Sequence, residues 1–128
     1  MGCQLHLIHP LGFDLDDKKL RRAGLDYHEW AEVKEHQNYQ AMLASLKPQR
    51  IFACSTKGST NYHTQCYQPG DTFIFGPETR GLPTSILAQI DSNCVIRIPM
   101  RESSRSINLA NAVSIIMYEA WRQNDFRL

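Results

Sequence analysis

The sequence has neither long apolar runs nor a large net charge, the two features that would indicate a membrane protein or a charged partner from composition alone. No apolar run approaches the roughly 20 residues that a membrane-spanning helix needs. The net charge is only +1, so bulk charge does not indicate a nucleic-acid partner, and any RNA would have to bind at local patches or to a dimer. With 128 residues, of which 21% are charged, the composition is that of a globular protein, and we expect one domain over residues 1–128.

The sequence also lacks a recognisable metal-binding or nucleophile motif. Its four cysteines form no C-x-x-C pair, so we expect no metal, and free thiols indicate a reduced, cytoplasmic setting. None of the five histidines lies in a nucleophile motif, which disfavours a Ser-His-Asp hydrolase. The cysteines are Cys3, Cys54, Cys66 and Cys94, and the histidines are His6, His9, His28, His36 and His63.

Short apolar runs alternate with segments of helical periodicity, which predicts an α/β fold with a mostly parallel sheet. The predicted strands cover residues 4–9, 30–33, 50–54, 71–75 and 95–98. Helices are predicted at residues 16–23, 38–46 and 84–89, and in a long segment after Ser106, whose hydroxyl is the predicted N-cap. Residues 62–68 are ambiguous between helix, strand and loop.

A cluster of cations lies on one face of the predicted helix at residues 16–23, where Lys18, Arg21 and Arg22 have the spacing for it. Such a cluster is usually a solvated surface. It also fits a patch that binds RNA phosphates, and the sequence leaves both interpretations open.

Three of the predicted strands end in unusual loops, after Cys54, at Gly76 and at Ile98. In open α/β sheets, ligands bind outside the carboxyl ends of the strands, so we expect these loops to gather around one site. The loop at residues 55–60 is polar like a phosphate-binding loop, but it lacks the spacing of a P-loop. The sequence therefore predicts a ligand site at the strand ends without a P-loop.

The loop F-G-P-E-T-R-G-L-P at residues 75–83 has two glycines and two prolines, which fix an irregular backbone that a ligand can approach closely. Glu78 and Arg80 lie inside this loop. We expect it to lie near Ser106 and Asn108 at the start of the last helix, so that carboxylate, guanidinium, hydroxyl and amide groups share one cleft. The alternative interpretation is an ordinary turn with an exposed ion pair.

The last predicted helix carries two apolar stripes. The first has the i, i+3, i+4 spacing of one helical face, and Ile115, Tyr118 and Trp121 lie off it. A helix that is apolar on more than one side is buried on more than one side, which predicts a partner surface. The first stripe contains Leu109, Ala112, Val113, Ile116, Met117 and Ala120.

The segments F-G-P-E-T-R-G-L-P and I-P-M-x-x-x-S-R-S-x-N-L-x-N-A-V-S-I strongly resemble motifs two and three of the SPOUT-class RNA 2′-O-methyltransferases. Within that class the chain, including residues 16–28, is most similar to the tRNA (cytidine/uridine-34) 2′-O-methyltransferases, which modify the wobble ribose. The resemblance implies a trefoil-knotted α/β fold that binds S-adenosylmethionine and the anticodon stem-loop of tRNA. It also implies a homodimer formed through the last helix, with Tyr118 at the interface.

Roles for single residues also follow from the resemblance. The family's catalytic positions match Glu78, Ser106 and Asn108, and the last two would orient the ribose and the cofactor. Glu78 would fix its loop or balance charge near the sulfonium. The positions at which the family binds the cofactor match Cys54, Gly76, Ile98, Ser106 and Ile107.

The family normally opens with a strand and an Asn-Thr-Gly-Asn-x-x-Arg helix entrance, whose arginine is usually credited with activating or accepting the proton. This sequence begins with Met1-Gly-Cys-Gln, after that point. We therefore expect an N-terminally shortened form of the fold, with poorer stability, impaired catalysis or both. The alternative function is a catalytically impaired or inactive paralogue, or a truncated form, that still binds cofactor or RNA. A purely structural dimerisation domain is a third, weaker alternative, since it would not need the polar loops.

Overall fold

The computed structural model describes residues 2–9, 33–77, 80–102 and 107–127. The chain divides into two compact units, Gly2–Lys47 and Pro48–Leu128. The helix predicted at residues 16–23, with its cations, lies outside the described residues, as do Glu78 and Ser106. Within the described ranges, no helix has the length and apolar character that crossing a bilayer requires.

The described residues of the unit Gly2–Lys47, 2–9 and 33–47, form two parallel strands and a helix. These are β1 (His6–Ile8), β2 (Lys34–His36) and α1 (Tyr39–Leu46). β1 lies within the strand predicted at residues 4–9. A strand was also expected at residues 30–33, of which 30–32 lie outside the described residues, and Val33 precedes β2 rather than belonging to it. β2 has the polar sequence Lys-Glu-His, so it has no apolar signature and is held by its backbone pairing with β1.

Both ends of α1 are capped. The side chain of Asn38 accepts from the N–H of Ala41 at 2.8 Å, which satisfies a free amide of the first turn. At the other end Lys47 adopts a left-handed conformation with φ 48°, and its N–H donates to the carbonyl of Leu43 at 3.0 Å. The side chain of Met42, in the first half of α1, is buried. The helix predicted at residues 38–46 is confirmed.

The unit Pro48–Leu128 is built on a parallel sheet with the strand order β4-β6-β3-β5. The strands are β3 (Ile51–Cys54), β4 (Thr60–Asn61), β5 (Thr72–Phe75) and β6 (Val95–Arg97). Cys54 is in register with both Phe75 and Ile96, so the carboxyl ends of three strands lie side by side. The strands predicted at residues 50–54, 71–75 and 95–98 are confirmed. The short β4 begins at the last residue of the predicted polar loop, residues 55–60, and ends just before the segment at residues 62–68 that was ambiguous from sequence.

Two α-helices and two 3₁₀ turns connect and cover this sheet. The helices are α2 (Thr84–Leu87) and α3 (Leu109–Gln123), and the 3₁₀ turns are Tyr62–Thr64 and Ser92–Cys94. The first of these turns resolves the start of the segment at residues 62–68 that was ambiguous from sequence. α2 forms one helical turn within the predicted range of residues 84–89.

The core of this unit lies between one face of the sheet and α3. Phe52 and Ile96 from the sheet and Ile116 from α3 are fully buried. The ring of Phe52 meets that of Tyr67 edge-on with 5.0 Å between centroids, and stacks on that of Phe73 at 5.6 Å. Burial of this cluster fixes α3 against the strands whose ends carry the unusual loops.

α3 begins two residues later than a Ser106 cap would require. Its N-cap is Asn108, whose side-chain oxygen accepts from the N–H groups of Ala110 at 2.9 Å and Asn111 at 3.4 Å. The prediction of Ser106 as the N-cap was therefore wrong. The physical reason is that the carboxamide of Asn108 already satisfies the free amides of the first turn.

The most buried and the most exposed apolar side chains of α3 lie on different stripes. Ile116 is 1% exposed, whereas Tyr118 is 53% exposed. The ring centroid of Tyr118 lies 5.6 Å from that of Trp121, and the ring centroid of Trp121 lies 5.1 Å from that of Phe126. Tyr118 and Phe126 are exposed, whereas Trp121 is partly buried. Burial of this second stripe stays a prediction, because it requires a partner.

The carboxyl end of α3 is tied to the segment before β5. The side-chain oxygen of Gln123 accepts from the N–H of Tyr67 at 2.8 Å, and its amide nitrogen donates to the carbonyl of Gln65 at 2.9 Å. Asn124 donates to the carbonyl of Tyr67 at 3.2 Å. These contacts span more than 50 residues of sequence, and they hold α3 in place beside the strand ends.

Candidate active site

A cavity of about 280 Å³ opens at the carboxyl ends of β3, β5 and β6. Its walls are the ends of these three strands, the loops that follow them and the first two turns of α3. A cavity at this end of a parallel sheet is where α/β proteins bind their ligands. The three loops therefore gather around one cavity, as expected, and the binding of a ligand there stays a prediction.

The loop after β3 forms a tight turn against β6. The N–H of Ser55 donates to the carbonyl of Ile96 at 3.0 Å, and the hydroxyl oxygen of Ser55 accepts from the N–H of Lys57 at 3.1 Å. A Cβ at Gly58 would lie 2.8 Å from the carbonyl oxygen of Val95, so only glycine fits this approach. The turn fixes the position of Lys57 at the wall of the cavity.

The loop after β5 folds back on itself. A Cβ at Gly76 would lie 2.2 Å from the carbonyl carbon of Gly81 and 2.3 Å from the nitrogen of Leu82. Gly81 has φ +70°, and its N–H donates to the carbonyl of Pro77 at 2.9 Å. Both glycines are therefore required by the backbone, one by contact and the other by its left-handed conformation.

The structure brings most of the described site residues to this cavity. Cys54, Gly76, Ile98 and Ile107 all line it. Glu78 and Ser106 lie outside the described residues. Asn108 precedes the lining residue Leu109, but it is not itself a lining residue, and its carboxamide caps α3. The structure thus gives Asn108 a structural role, and its catalytic role stays a prediction.

Cys54 at the end of β3 lines the cavity. Burial raises the pKa of the Cys54 thiol well above its usual range. The sulfur therefore stays protonated near neutral pH, so it is not a nucleophile. A role of Cys54 in ligand binding would use its main-chain groups and its shape.

Sequence reasoning missed several residues of the walls. Leu82, Leu109 and Ile116 supply apolar surface, and Lys57 supplies a cation. The apolar residues were assigned to the core or to loops because periodicity does not distinguish a cavity wall from a core. For Lys57, the only available signal was its position just after a predicted strand. Arg80 also lines the cavity, as its predicted place in the cleft required.

A cavity at the carboxyl ends of three parallel strands is the usual ligand site of α/β proteins. The chain belongs to the SpoU rRNA Methylase family, whose sequence profile matches residues 1–118. This confirms the predicted family and the SPOUT-type mixed α/β fold, whereas the trefoil knot stays a prediction.

Curated relatives and solved structures share this assignment. The chain is 58% identical to the tRNA (cytidine(34)-2′-O)-methyltransferase of Yersinia pestis and 57% identical to that of Escherichia coli strain K12. Each match covers 95% of this chain and 78% of the relative.

Among solved structures, one described as "Structural insights into the 2-OH methylation of C/U34 on tRNA" matches with a TM-score of 0.85 and 42% identity, over 97% of this chain and 80% of that one. The SpoU methyltransferase AviRb of Streptomyces viridochromogenes has a TM-score of 0.76 at 20% identity, over 94% of this chain and 48% of that one, and shows the fold alone. The fold is therefore shared well beyond the range of high sequence identity.

Proposed function

We propose that this chain transfers the methyl group of S-adenosylmethionine to the 2′-hydroxyl of the ribose at position 34 of tRNA, accepting cytidine or uridine. The observation that carries the proposal is the identity of 57–58% with relatives named for this reaction at cytidine 34. The cavity at the strand ends supports it, because its walls come from the two motifs that resemble this family.

The cavity suits the cofactor in size and chemistry. Its volume of about 280 Å³ is near the lower end of the range for small-molecule sites. Ile98, Ile107 and Leu109 offer apolar surface for an adenine ring, and the bare backbone of Gly76 offers main-chain groups at the strand end. We assign cofactor binding to Cys54, Gly76, Ile98, Ser106 and Ile107.

The reaction makes modest demands on the protein. S-adenosylmethionine supplies a methyl group that is already activated on a sulfonium, so no metal is required. The protein must hold the 2′-hydroxyl in line with that methyl and assist removal of its proton. We assign the orientation of the ribose to Ser106 and Asn108. Glu78 would fix its loop or balance charge near the sulfonium.

We further propose that the protein is a cytoplasmic homodimer that pairs through α3 and binds the anticodon stem-loop. The exposed rings of Tyr118 and Phe126, which both contact the partly buried Trp121, support the pairing, since apolar surface of this kind is usually covered by a partner. Residues 1–128 would then form one knotted methyltransferase domain.

The experiment is methyl transfer from labelled S-adenosylmethionine to unmodified tRNA, together with cofactor titration by calorimetry. Binding and transfer together support the proposal. Binding without transfer supports a catalytically impaired paralogue, and the absence of both supports a structural dimerisation domain. The experiment therefore separates the three functions that the sequence left open.

A further inference from the structure

The chain forms a hydrogen-bonded β-turn at residues 55–58, directly after β3. The N–H of Gly58 donates to the carbonyl of Ser55 at 3.1 Å, and the hydroxyl oxygen of Ser55 accepts from the N–H of Lys57 at 3.1 Å. Serine at the first position and glycine at the fourth are favoured in β-turns of this kind. The sequence S-T-K-G therefore gives a fixed turn, with Thr56 and Lys57 at its two central positions.

This turn is held against β6. The N–H of Ser55 donates to the carbonyl of Ile96 at 3.0 Å, and a Cβ on Gly58 would lie 3.0 Å from the carbonyl carbon of Ile96. Because β3 lies between β6 and β5, the turn leans towards β6 and away from β5. It therefore joins the ends of two strands that carry assigned cofactor positions, Cys54 at the end of β3 and Ile98 just after β6.

The turn gives the cavity a polar wall. Ser55, Thr56 and Lys57 all line the cavity, and the side chains of Thr56 and Lys57 are exposed. A hydroxyl group both donates and accepts hydrogen bonds, whereas an ammonium group only donates and carries a positive charge. Arg80 also lines the cavity, but from the loop after β5. The wall beside β6 is thus suited to a ligand group that carries an anion next to further polar atoms.

We infer that the turn at residues 55–58 is a subsite for the amino-acid chain of the cofactor, in which the ammonium of Lys57 binds the carboxylate. This inference rests on the proposed function. The carboxylate is the only anionic group of S-adenosylmethionine, and the hydroxyls of Ser55 and Thr56 can accept from the ammonium of the same chain. Ser55 directly follows Cys54, so the turn begins at an assigned cofactor position. The cofactor is therefore favoured over RNA as the partner of Lys57.

The test compares two ligands by calorimetry without tRNA, S-adenosylhomocysteine and 5′-methylthioadenosine. Both are neutral at sulfur and share the nucleoside, but only the first carries the amino-acid chain. The Kd of 5′-methylthioadenosine divided by that of S-adenosylhomocysteine therefore isolates the contribution of this chain. Lys57→Gln should lower this ratio about 10-fold, because it removes a charge-assisted hydrogen bond, and should leave the Kd of 5′-methylthioadenosine within about twofold. Lys57→Arg should recover most of the ratio, because it keeps the positive charge.

Two further variants serve as controls for the effect of charge. Lys47→Gln removes an exposed lysine from the other unit and should leave the ratio unchanged. Arg80→Gln removes the cation of the loop after β5 and should lower the ratio less than Lys57→Gln does. An equal fall in Lys57→Gln and Arg80→Gln would show a general effect of positive charge and would overturn the inference. The hydrogen bonds of the turn do not use the ammonium of Lys57, so Lys57→Gln should melt like the wild type.

An unchanged ratio in Lys57→Gln would overturn the inference, and a raised KM for tRNA in the same variant would assign Lys57 to RNA instead. The proposed function is tested separately by methyl transfer to tRNA. If the wild type binds S-adenosylhomocysteine but transfers no methyl group, the proposed function fails, while a lowered ratio in Lys57→Gln still supports the subsite. If the wild type binds neither ligand, both the proposed function and the inference are overturned.

Discussion

Gly76 and Gly81 are in direct backbone contact across the loop that follows β5. A Cβ on Gly76 would lie 2.2 Å from the carbonyl carbon of Gly81, which is shorter than any real contact of such atoms. The contact folds the loop over the end of its own strand and so shapes one wall of the cavity. The shape of the proposed cofactor site therefore depends on Gly76 having no Cβ.

Gly76→Ala should displace the loop at residues 76–82 and weaken cofactor binding about 10–100-fold, because a displacement of about 1 Å in a ligand site has effects of that size. Calorimetric titration with S-adenosylmethionine measures this. Gly70→Ala is the control: Gly70 has φ +91° with open space around it, so the variant is strained but leaves the cavity intact. Equal cofactor affinity in both variants would contradict the account of the loop.

Asn108 should matter for both stability and transfer. Asn108→Ala removes the cap of α3, which costs about 1 kcal/mol in the free energy of unfolding. We expect methyl transfer per folded molecule to fall much further than this loss of stability explains. Asn108→Ser restores a capping oxygen, so its stability in urea should recover while its transfer rate stays low. Recovery of both would show that Asn108 acts only as a cap.

The pairing of β1 with β2 should weaken in acid. The Nδ1 of His6 lies 2.9 Å from the Nε2 of His36, a hydrogen bond that needs one proton between the rings. Burial, with the charges of His36 and Lys34, lowers the pKa of His6 below its usual 6.5. The imidazole of His6 therefore binds a proton more tightly in the unfolded state than in the folded state. The contribution of His6 to the free energy of unfolding is present above about pH 6.5 and is lost as the pH falls through its lowered pKa.

Hydrogen exchange between about pH 7.5 and about pH 5 measures this effect. The N–H of His9, which donates to the carbonyl of His36 at 2.9 Å, should lose protection in acid. His6→Phe should reduce the dependence on pH, whereas His63→Gln, an exposed histidine of the other unit, should not. Equal pH dependence in wild type and His6→Phe would refute the role of the pair.

Substitution of Asp71 should lower the free energy of unfolding more than substitution of most other polar residues. Its side chain is 5% exposed and accepts from the Nε and an Nη of Arg50 at 2.8 and 2.6 Å, and from the N–H of Gln68 at 2.7 Å. Asp71→Ala removes the carboxylate that accepts from Arg50 and Gln68, although Arg50 keeps its hydrogen bond to the carbonyl of Cys66. We therefore expect a loss of about 2 kcal/mol in the free energy of unfolding by urea denaturation. Glu35→Gln, which breaks the exposed pair with His9, should cost less than about 1 kcal/mol. Similar costs for the two variants would contradict this.

The position of the cavity could be predicted from the sequence because it follows from the topology of a parallel sheet. Cys54, Gly76 and Ile98 follow apolar strands, and parallel strands bring their carboxyl ends together. The cap of α3 could not be predicted, since serine and asparagine cap equally well and the sequence does not show which one the helix begins after. β4 was missed because Thr60 and Asn61 carry no apolar pattern. The contact of Gln123 with Tyr67 depends on tertiary packing that no local pattern encodes.

The most direct test is to map the methyl group on unmodified tRNA after incubation with the purified protein and S-adenosylmethionine. The account predicts one new 2′-O-methyl group, on the ribose at position 34, in tRNAs with cytidine or uridine there. A methyl group on a base or at another nucleotide would contradict it, as would bound cofactor with no transfer.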